Sequence, residues 1–251
     1  MRTLLIFILF PLLIYSCNQQ HSYQLENVDI IKIDASIPQN EKIVSIIEPY
    51  RDSLEQIMNE VIGKNKATIR SVKPESPLSS FVADLVLKAG KDFLERQHAD
   101  ELPVISVVNV RGLRAPLPAG DITIRNAFEV MPFENQMVAV KLNGKQIETL
   151  FNHIASIDGD GISGASFTLI EDRAEKIRIH NKKPIPDSLY WVITSDYLAA
   201  GGDHYNVFQE SDQILTSKRT IRDLIIAHIK MLNKNGEIIK PDNTVRITVK
   251  Q

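Results

Sequence analysis

Tyr190–Phe208 reads Y-W-V-I-T-S-D-Y-L-A-A-G-G-D-H-Y-N-V-F. It opens as a strand, with Trp191, Ile193 and Ser195 on one face and Val192 and Thr194 on the other. The strand breaks at Gly201-Gly202, where the backbone is free to take positive φ and a ligand can come close. Asp203 follows at once, with Tyr197 before the break and Tyr205 and Phe208 after it. A strand that runs into a Gly-Gly turn beside a carboxylate and aromatic rings suits a small-molecule site. Gly-Gly-Asp is equally an ordinary turn, and this stretch alone leaves both readings open.

Upstream, Val104–Val108 is a short run, apolar but for Ser106, as expected for a strand in a sheet covered on both faces. It delivers Asn109-Val110-Arg111-Gly112-Leu113-Arg114 just past its end, where ligand sites of α/β proteins gather. Asn109 can donate and accept hydrogen bonds, and Arg114 can grip an oxyanion with two parallel bonds. From these residues alone, a surface turn with two solvated arginines is the more frequent arrangement. Gly120–Ile124 reads as a turn and short strand, and Asn126–Met131 as a short helix ending at Pro132. Phe133, in M-P-F-E-N, is preset by that proline; a core phenylalanine at a corner is the commoner role for such a residue. Gln136–Leu142 alternates as a strand, Asn143-Gly144 signals a turn, and Gln146–Ile157 is helical. Gly159, Gly161 and Gly164 predict a flexible loop. Strands follow near Ser166–Ile170 and Lys176–His180, then a helix over Thr220–Leu232 and a strand over Thr244–Val249.

Toward the N-terminus, Ser76-Pro77 starts a helix, with serine as cap and proline at the first position. Its buried face runs from Leu78 to Phe93. Asn40 caps an earlier amphipathic helix that carries apolar residues from Ile43 to Val61. Pro49 is expected to kink or split that helix, and Gly63 to stop it. Such a helix suits a connector ahead of the main domain. Val28–Ile33 reads as a strand and residues 18–27 as a polar tether.

The chain has 251 residues, with 29 lysines and arginines against 31 acids, so no basic excess draws nucleic acid. One cysteine and six scattered histidines exclude a disulfide scaffold and a cysteine-based zinc site. That cysteine, Cys17, directly follows a short apolar run, Leu4–Tyr15, behind Met1-Arg2. The run is too short to span a membrane comfortably and is built like a secretory signal. Ile14-Tyr15-Ser16-Cys17 resembles a bacterial lipobox, which makes Cys17 the lipidated first residue of the mature protein. A plain signal peptide with an incidental cysteine is the other reading, but Tyr15-Ser16 is a poor site for ordinary cleavage. The expected organisation is a signal over 1–16, a lipid-tethered segment and connector helix over 17–66, and one domain over 67–251.

The order of motifs in that domain resembles the C-terminal domain of bacterial and animal 5'-nucleotidases. The pieces are N-V-R-G-L-R, Gly120-Asp121-Ile122-Thr123, M-P-F-E-N, a strand-Asn-Gly-helix unit, and Y-L-A-A-G-G-D-H-Y. The resemblance implies an α/β fold, a mixed sheet flanked by helices, with the connector helix in front. It implies that Phe133 and Tyr197 clamp a base, that Asp203 takes ribose hydroxyls, and that Asn109 and Arg114 serve the ribose–phosphate end. Two departures stand out. Val110 and Arg111 occupy a turn that is usually glycine-rich, and Tyr197 stands where phenylalanine is usual. A further family arginine, ahead of the helix from Ser76, has no clean counterpart in Arg70 or Lys73.

The family's hydrolytic chemistry belongs to a separate two-metal phosphoesterase domain, and none of its ligand motifs occurs in this sequence. His153 and His204 stand without carboxylate clusters and read as structural or solvated. The expectation is therefore a nucleoside- or nucleotide-binding half of a 5'-nucleotidase, a hydrolase of nucleotide catabolism. No catalytic residue, metal ligand or cofactor is assigned to this chain. Divalent metals and hydrolysis would come from a separate metallophosphoesterase chain, which leaves open whether this chain counts as an enzyme. Its place would be the bacterial cell envelope, lipid-anchored outside the cytoplasm. The rival expectation is a surface lipoprotein that captures nucleosides without hydrolysis; a structural remnant is the third.

Overall fold

The computed structural model describes residues 32–34, 36–240 and 242–250. The apolar run, Cys17, the tether and most of the strand expected at Val28–Ile33 lie outside the described residues. The chain divides at Glu48–Pro49 into a short N-terminal unit and a main body. Helix α1 (Glu41–Met58) begins in the first unit. Asn40 caps it, its side-chain oxygen accepting from the amides of Lys42 and Ile43 at 3.1 and 3.4 Å. Pro49 lies inside α1 without ending it. A single proline deletes one backbone bond, and the turns on either side keep theirs.

Gly63 does not stop the helix, which finishes at Met58; Gly63 lies within strand β1 (Val61–Asn65). The glycine serves close packing instead. A Cβ there would fall 2.5 Å from the side chain of Ile229, on the helix that covers this strand.

The main body continues through α2 (Pro77–Arg96), β2 (Val104–Val108), β3 (Gly120–Thr123), α3 (Ile124–Val130) and β4 (Gln136–Asn143). Then come α4 (Gly144–Ser156), β5 (Gly161–Ser163), β6 (Ala165–Ile170), β7 (Arg173–Ile179) and β8 (Leu189–Ser195). The last elements are α5 (Asp196–Ala199), β9 (Ile214–Thr220), α6 (Ile221–Lys234) and β10 (Ile247–Lys250). Five strands form the central sheet in the order β5-β2-β8-β4-β9, in which only β2 and β8 run parallel. β1 pairs with β3, and β10-β6-β7 make a third, small sheet.

The alternation expected in β8 is realised. Trp191 and Ile193 pack with Val82, Val86 and Ile225 of α2 and α6, while Tyr190 and Val192 pack with Phe151 and Ile154 of α4 and with Phe167. β2 is divided the same way, which is why its sequence is apolar but for Ser106, whose buried hydroxyl donates to the Ala83 carbonyl at 2.7 Å: Val108 faces the first core, Ile105 and Val107 the second. Each such fully buried side chain contributes about 1.5–3 kcal/mol. The fold is thus α/β, a mixed sheet flanked by helices.

Ser76 and Pro77 start α2 as expected, with Ser76 and Ser79 closing a reciprocal cap. Asn143-Gly144 joins strand to helix, as the strand-Asn-Gly-helix unit implied. Asn143 caps α4, accepting from Lys145 and Gln146 while the Gln146 side chain returns to its amide, so strand passes straight into helix. The glycines at 159–164 enclose strand β5 rather than a flexible loop, because β5 pairs with β2 through Ser106, Val107 and Val108. β9 escapes the sequence reading because it is an edge strand of mostly polar residues, none of them buried.

Candidate functional site

β2 and β8 are parallel neighbours, so their C-terminal ends reach the same edge of the sheet. β4 and β5 run against them: Met137 faces Ser195, and Gly161 faces Val108. The segments that follow β2 and β8, and those that precede β4 and β5, therefore meet at one edge. Sequence-remote side chains converge there.

After β8, Ser195 caps the single turn of α5, its hydroxyl accepting from the Leu198 amide at 3.2 Å. The chain then takes left-handed conformations at Gly201 (φ 88°), Asp203 (φ 50°) and His204 (φ 65°). The Tyr197 ring lies against Gly202, where a Cβ would come within 2.5 Å of it. Only glycine leaves room for the ring in that position. The Tyr197 hydroxyl donates to Asp203 Oδ1 at 2.9 Å, and the residue stays 43% exposed. That hydrogen bond holds the phenol above its ordinary value of 10.

From the end of β2, Asn109 Nδ2 donates to Asp203 Oδ2 at 2.7 Å. Behind this pair lies a buried group. Asp160, ahead of β5, accepts from the Val110 amide at 2.8 Å and from the Tyr205 hydroxyl at 2.5 Å. Burial pushes the Asp160 carboxyl above its ordinary 3.8 and the Tyr205 phenol well above 10. His153 of α4 meets the Asp203 carbonyl through Nε2 at 3.0 Å and sets its ring edge-on to Tyr205, with centroids 4.4 Å apart.

A cavity of about 340 Å³ opens in front of these groups, lined by Lys73, Arg111, Ile157, Asp160, Tyr197, Gly201, Asp203 and His204. It combines cations, acids and an open aromatic ring within the lower size range of small-molecule sites. A larger groove, about 680 Å³, lies between Leu102 and the 179–190 segment, but its lining is mainly apolar or lysine.

Of the residues singled out by sequence, Asn109, Tyr197 and Asp203 come together. Arg114 does not line the cavity. It is exposed, and its Nη1 reaches the Arg111 carbonyl at 3.4 Å. Phe133 also stays off the cavity wall. It is 43% exposed on a corner whose carbonyls at Pro132 and Phe133 are held by Arg222 Nη1 at 3.0 and 3.4 Å.

The sequence reading gave no ligand-binding role to Lys73, Arg111, Asp160, His153 or His204, having read the two histidines as structural or solvated. Arg111 had a signal, since it shares the Asn109 turn. Asp160 had none beyond its flanking glycines. Among the described residues, no three His, Cys, Asp or Glu side chains are arranged to hold a metal ion, and no helix is long and apolar enough to cross a membrane.

The chain matches the family model for the 5'-nucleotidase, C-terminal domain, over residues 55–210. It is 27% identical over 206 residues to the trifunctional nucleotide phosphoesterase protein YfkN of Bacillus subtilis, covering 74% of this chain and 14% of that protein. It is 22% identical to a 5'-nucleotidase of Vibrio parahaemolyticus, covering 85% of this chain and 39% of the relative. Among solved structures, a 5'-nucleotidase precursor from Thermus thermophilus shares the fold with a TM-score of 0.69 at 21% identity, covering 84% of this chain and 44% of that one. The chain therefore spans less than half the length of each of these proteins.

Proposed function

The chain belongs to the 5'-nucleotidase C-terminal domain family, and from that membership we propose that its cavity holds a nucleoside or nucleotide. The observation that carries this reading is Asp203, reached by both Asn109 and Tyr197 beside an open ring and two cations. A carboxylate offers about four acceptor positions, and these two donors use two of them. The others suit the hydroxyls of a ribose. The exposed face of Tyr197 suits the base, with Phe133, on a corner at the same sheet edge, as the second ring. Arg111 and Lys73 suit an anionic group on the sugar, a role that sequence alone gave to Arg114. In this reading hydrolysis and its divalent metals belong to a separate metallophosphoesterase chain. Cys17 carries the lipid that holds the protein in the bacterial envelope.

Calorimetric titration with adenosine tests the site. Tyr197→Ala removes a stacking face and is expected to cost about 1–3 kcal/mol, roughly ten- to a hundredfold in affinity. Asp203→Ala should weaken adenosine more than its 2',3'-dideoxy form, because the lost partner serves the sugar hydroxyls. Unchanged affinity in a stably folded Tyr197→Ala, or equal losses for both sugars in Asp203→Ala, would refute this placement of the ligand.

A further inference from the structure

Asp160 reaches the cavity lining, yet it is almost wholly buried and both of its oxygens are taken up by the protein. Its residue is 2% exposed, yet it carries a carboxylate. Oδ1 takes the amide of Val110, the residue after Asn109. Oδ2 takes the hydroxyl of Tyr205, two residues after Asp203 and itself fully buried. Asn109 and Asp203 are the pair joined at 2.7 Å across the sheet edge. One carboxylate thus grips, from behind, both chain segments that present the pair.

The grip is itself anchored. Gly159 sits against Pro74, whose carbonyl oxygen would lie 2.3 Å from an added Cβ, and a Cβ on Gly161 would fall 2.7 Å from the Val108 side chain and 3.0 Å from the Ser79 carbonyl oxygen. A segment wedged on both sides of Asp160 cannot shift without moving the start of α2. The charged and titratable groups around the carboxylate are Lys73, Tyr205 and Asp203, with His153 packed edge-on to Tyr205. A buried carboxylate carries a desolvation cost that a neutral residue would not, so packing alone gives little reason for an acid at this position.

We propose that Asp160 is a positioning residue, a two-armed clasp that locks the 109–112 turn to the 201–205 loop and so fixes Asn109 and Asp203 for the ligand. It touches no ligand atom in this role and acts through Val110 and Tyr205. The part that concerns affinity rests on the nucleoside-binding reading; the clasp itself does not.

Hydrogen exchange on the whole chain, read segment by segment, separates the two. Asp160→Ala cuts both arms and should speed exchange on the order of tenfold in 109–112 and in 201–205, with the strands β2 and β8 unchanged. Tyr205→Phe cuts one arm and should loosen 201–205 alone. Asp160→Asn keeps an acceptor for Val110 and should restore protection of 109–112. Adenosine affinity should fall roughly ten- to a hundredfold in Asp160→Ala, the range of a lost charge-assisted hydrogen bond. Exchange that rises evenly through the molecule, or in neither segment, overturns the clasp. Two loosened segments with unchanged adenosine affinity overturn the positioning role, because the clasp would then hold the loops without serving the ligand. If wild type takes no adenosine while the three variants show this exchange pattern, the clasp stands and the nucleoside reading falls.

Discussion

Asp203 and Asp160 are the same residue type in opposite surroundings, and each surrounding sets a role. Asp203 is half-buried and presents its oxygens at a cavity wall, where Asn109 and Tyr197 orient them. Asp160 is enclosed, and burial raises its carboxyl above 3.8 against the pull of the Tyr205 hydroxyl, the Val110 amide and Lys73. A carboxyl with a raised folded value keeps its proton longer in the folded state. Its contribution to stability is full below the unfolded value and is lost as pH rises through the folded one. Asp160→Asn has no such titration. The stability of that variant relative to wild type should therefore rise as pH climbs above about 3.8, as urea melts over a pH series would register. A constant difference over that series would contradict the raised value. Tyr197 and Asp203 were legible from sequence because both flank a Gly-Gly break. Asp160 was not, since nothing local distinguishes a buried aspartate from a loop aspartate.

Elements, rather than single residues, explain why these side chains meet. β2 and β8 end at the same edge because they are parallel, and β4 and β5 begin there because they are not. The turn after β8 does its work through one absent atom. A Cβ on Gly202 would fall 2.5 Å from the Tyr197 ring, so Gly202→Ala must displace the ring and part its hydroxyl from Asp203. The ring is the free end of an exposed side chain and can move at little cost to the fold. Gly202→Ala should therefore lower adenosine affinity about as far as Tyr197→Ala, roughly tenfold or more, with a small change in melting temperature. A large melting shift with normal affinity in the folded fraction would mean that the glycine serves the fold alone. The Asn143-Gly144 pair teaches a related lesson. The same two residues signal a hairpin or a helix cap, and Gln146, three residues after Asn143, decides for the cap.

At the scale of the molecule, the chain spans only part of the relatives it matches, and its own described residues supply no metal-binding cluster. On the proposal that hydrolysis and its two metals belong to a separate chain, the purified protein supplied with divalent metal should release no phosphate from AMP. Metal-dependent phosphate release that tracks with this chain through stringent purification would reverse that view. The lipid anchor proposed at Cys17 is tested in the same spirit. Expressed in a bacterial host with its own leader, the protein should partition into detergent, and Cys17→Ala should release it into the aqueous phase. Equal membrane retention of Cys17→Ala would assign the anchoring to something else.

Sequence by itself pointed to the α/β class: the resemblance in motif order implied it, and the mostly apolar run Val104–Val108, suited to a strand covered on both faces, agreed with it. It also singled out Asn109, Tyr197 and Asp203, since polar groups after a buried strand and rings beside a Gly-Gly break are local signals. Only the tertiary structure decided that Tyr197 and Asp203 share one cavity with Asn109 bonded to Asp203, and that Lys73, Arg111 and Asp160 line that cavity while Arg114 does not. The reason is strand order. Residues 94 positions apart, Asn109 and Asp203, become hydrogen-bonded neighbours through the parallel pairing of β2 with β8, and no local pattern records which strands pair.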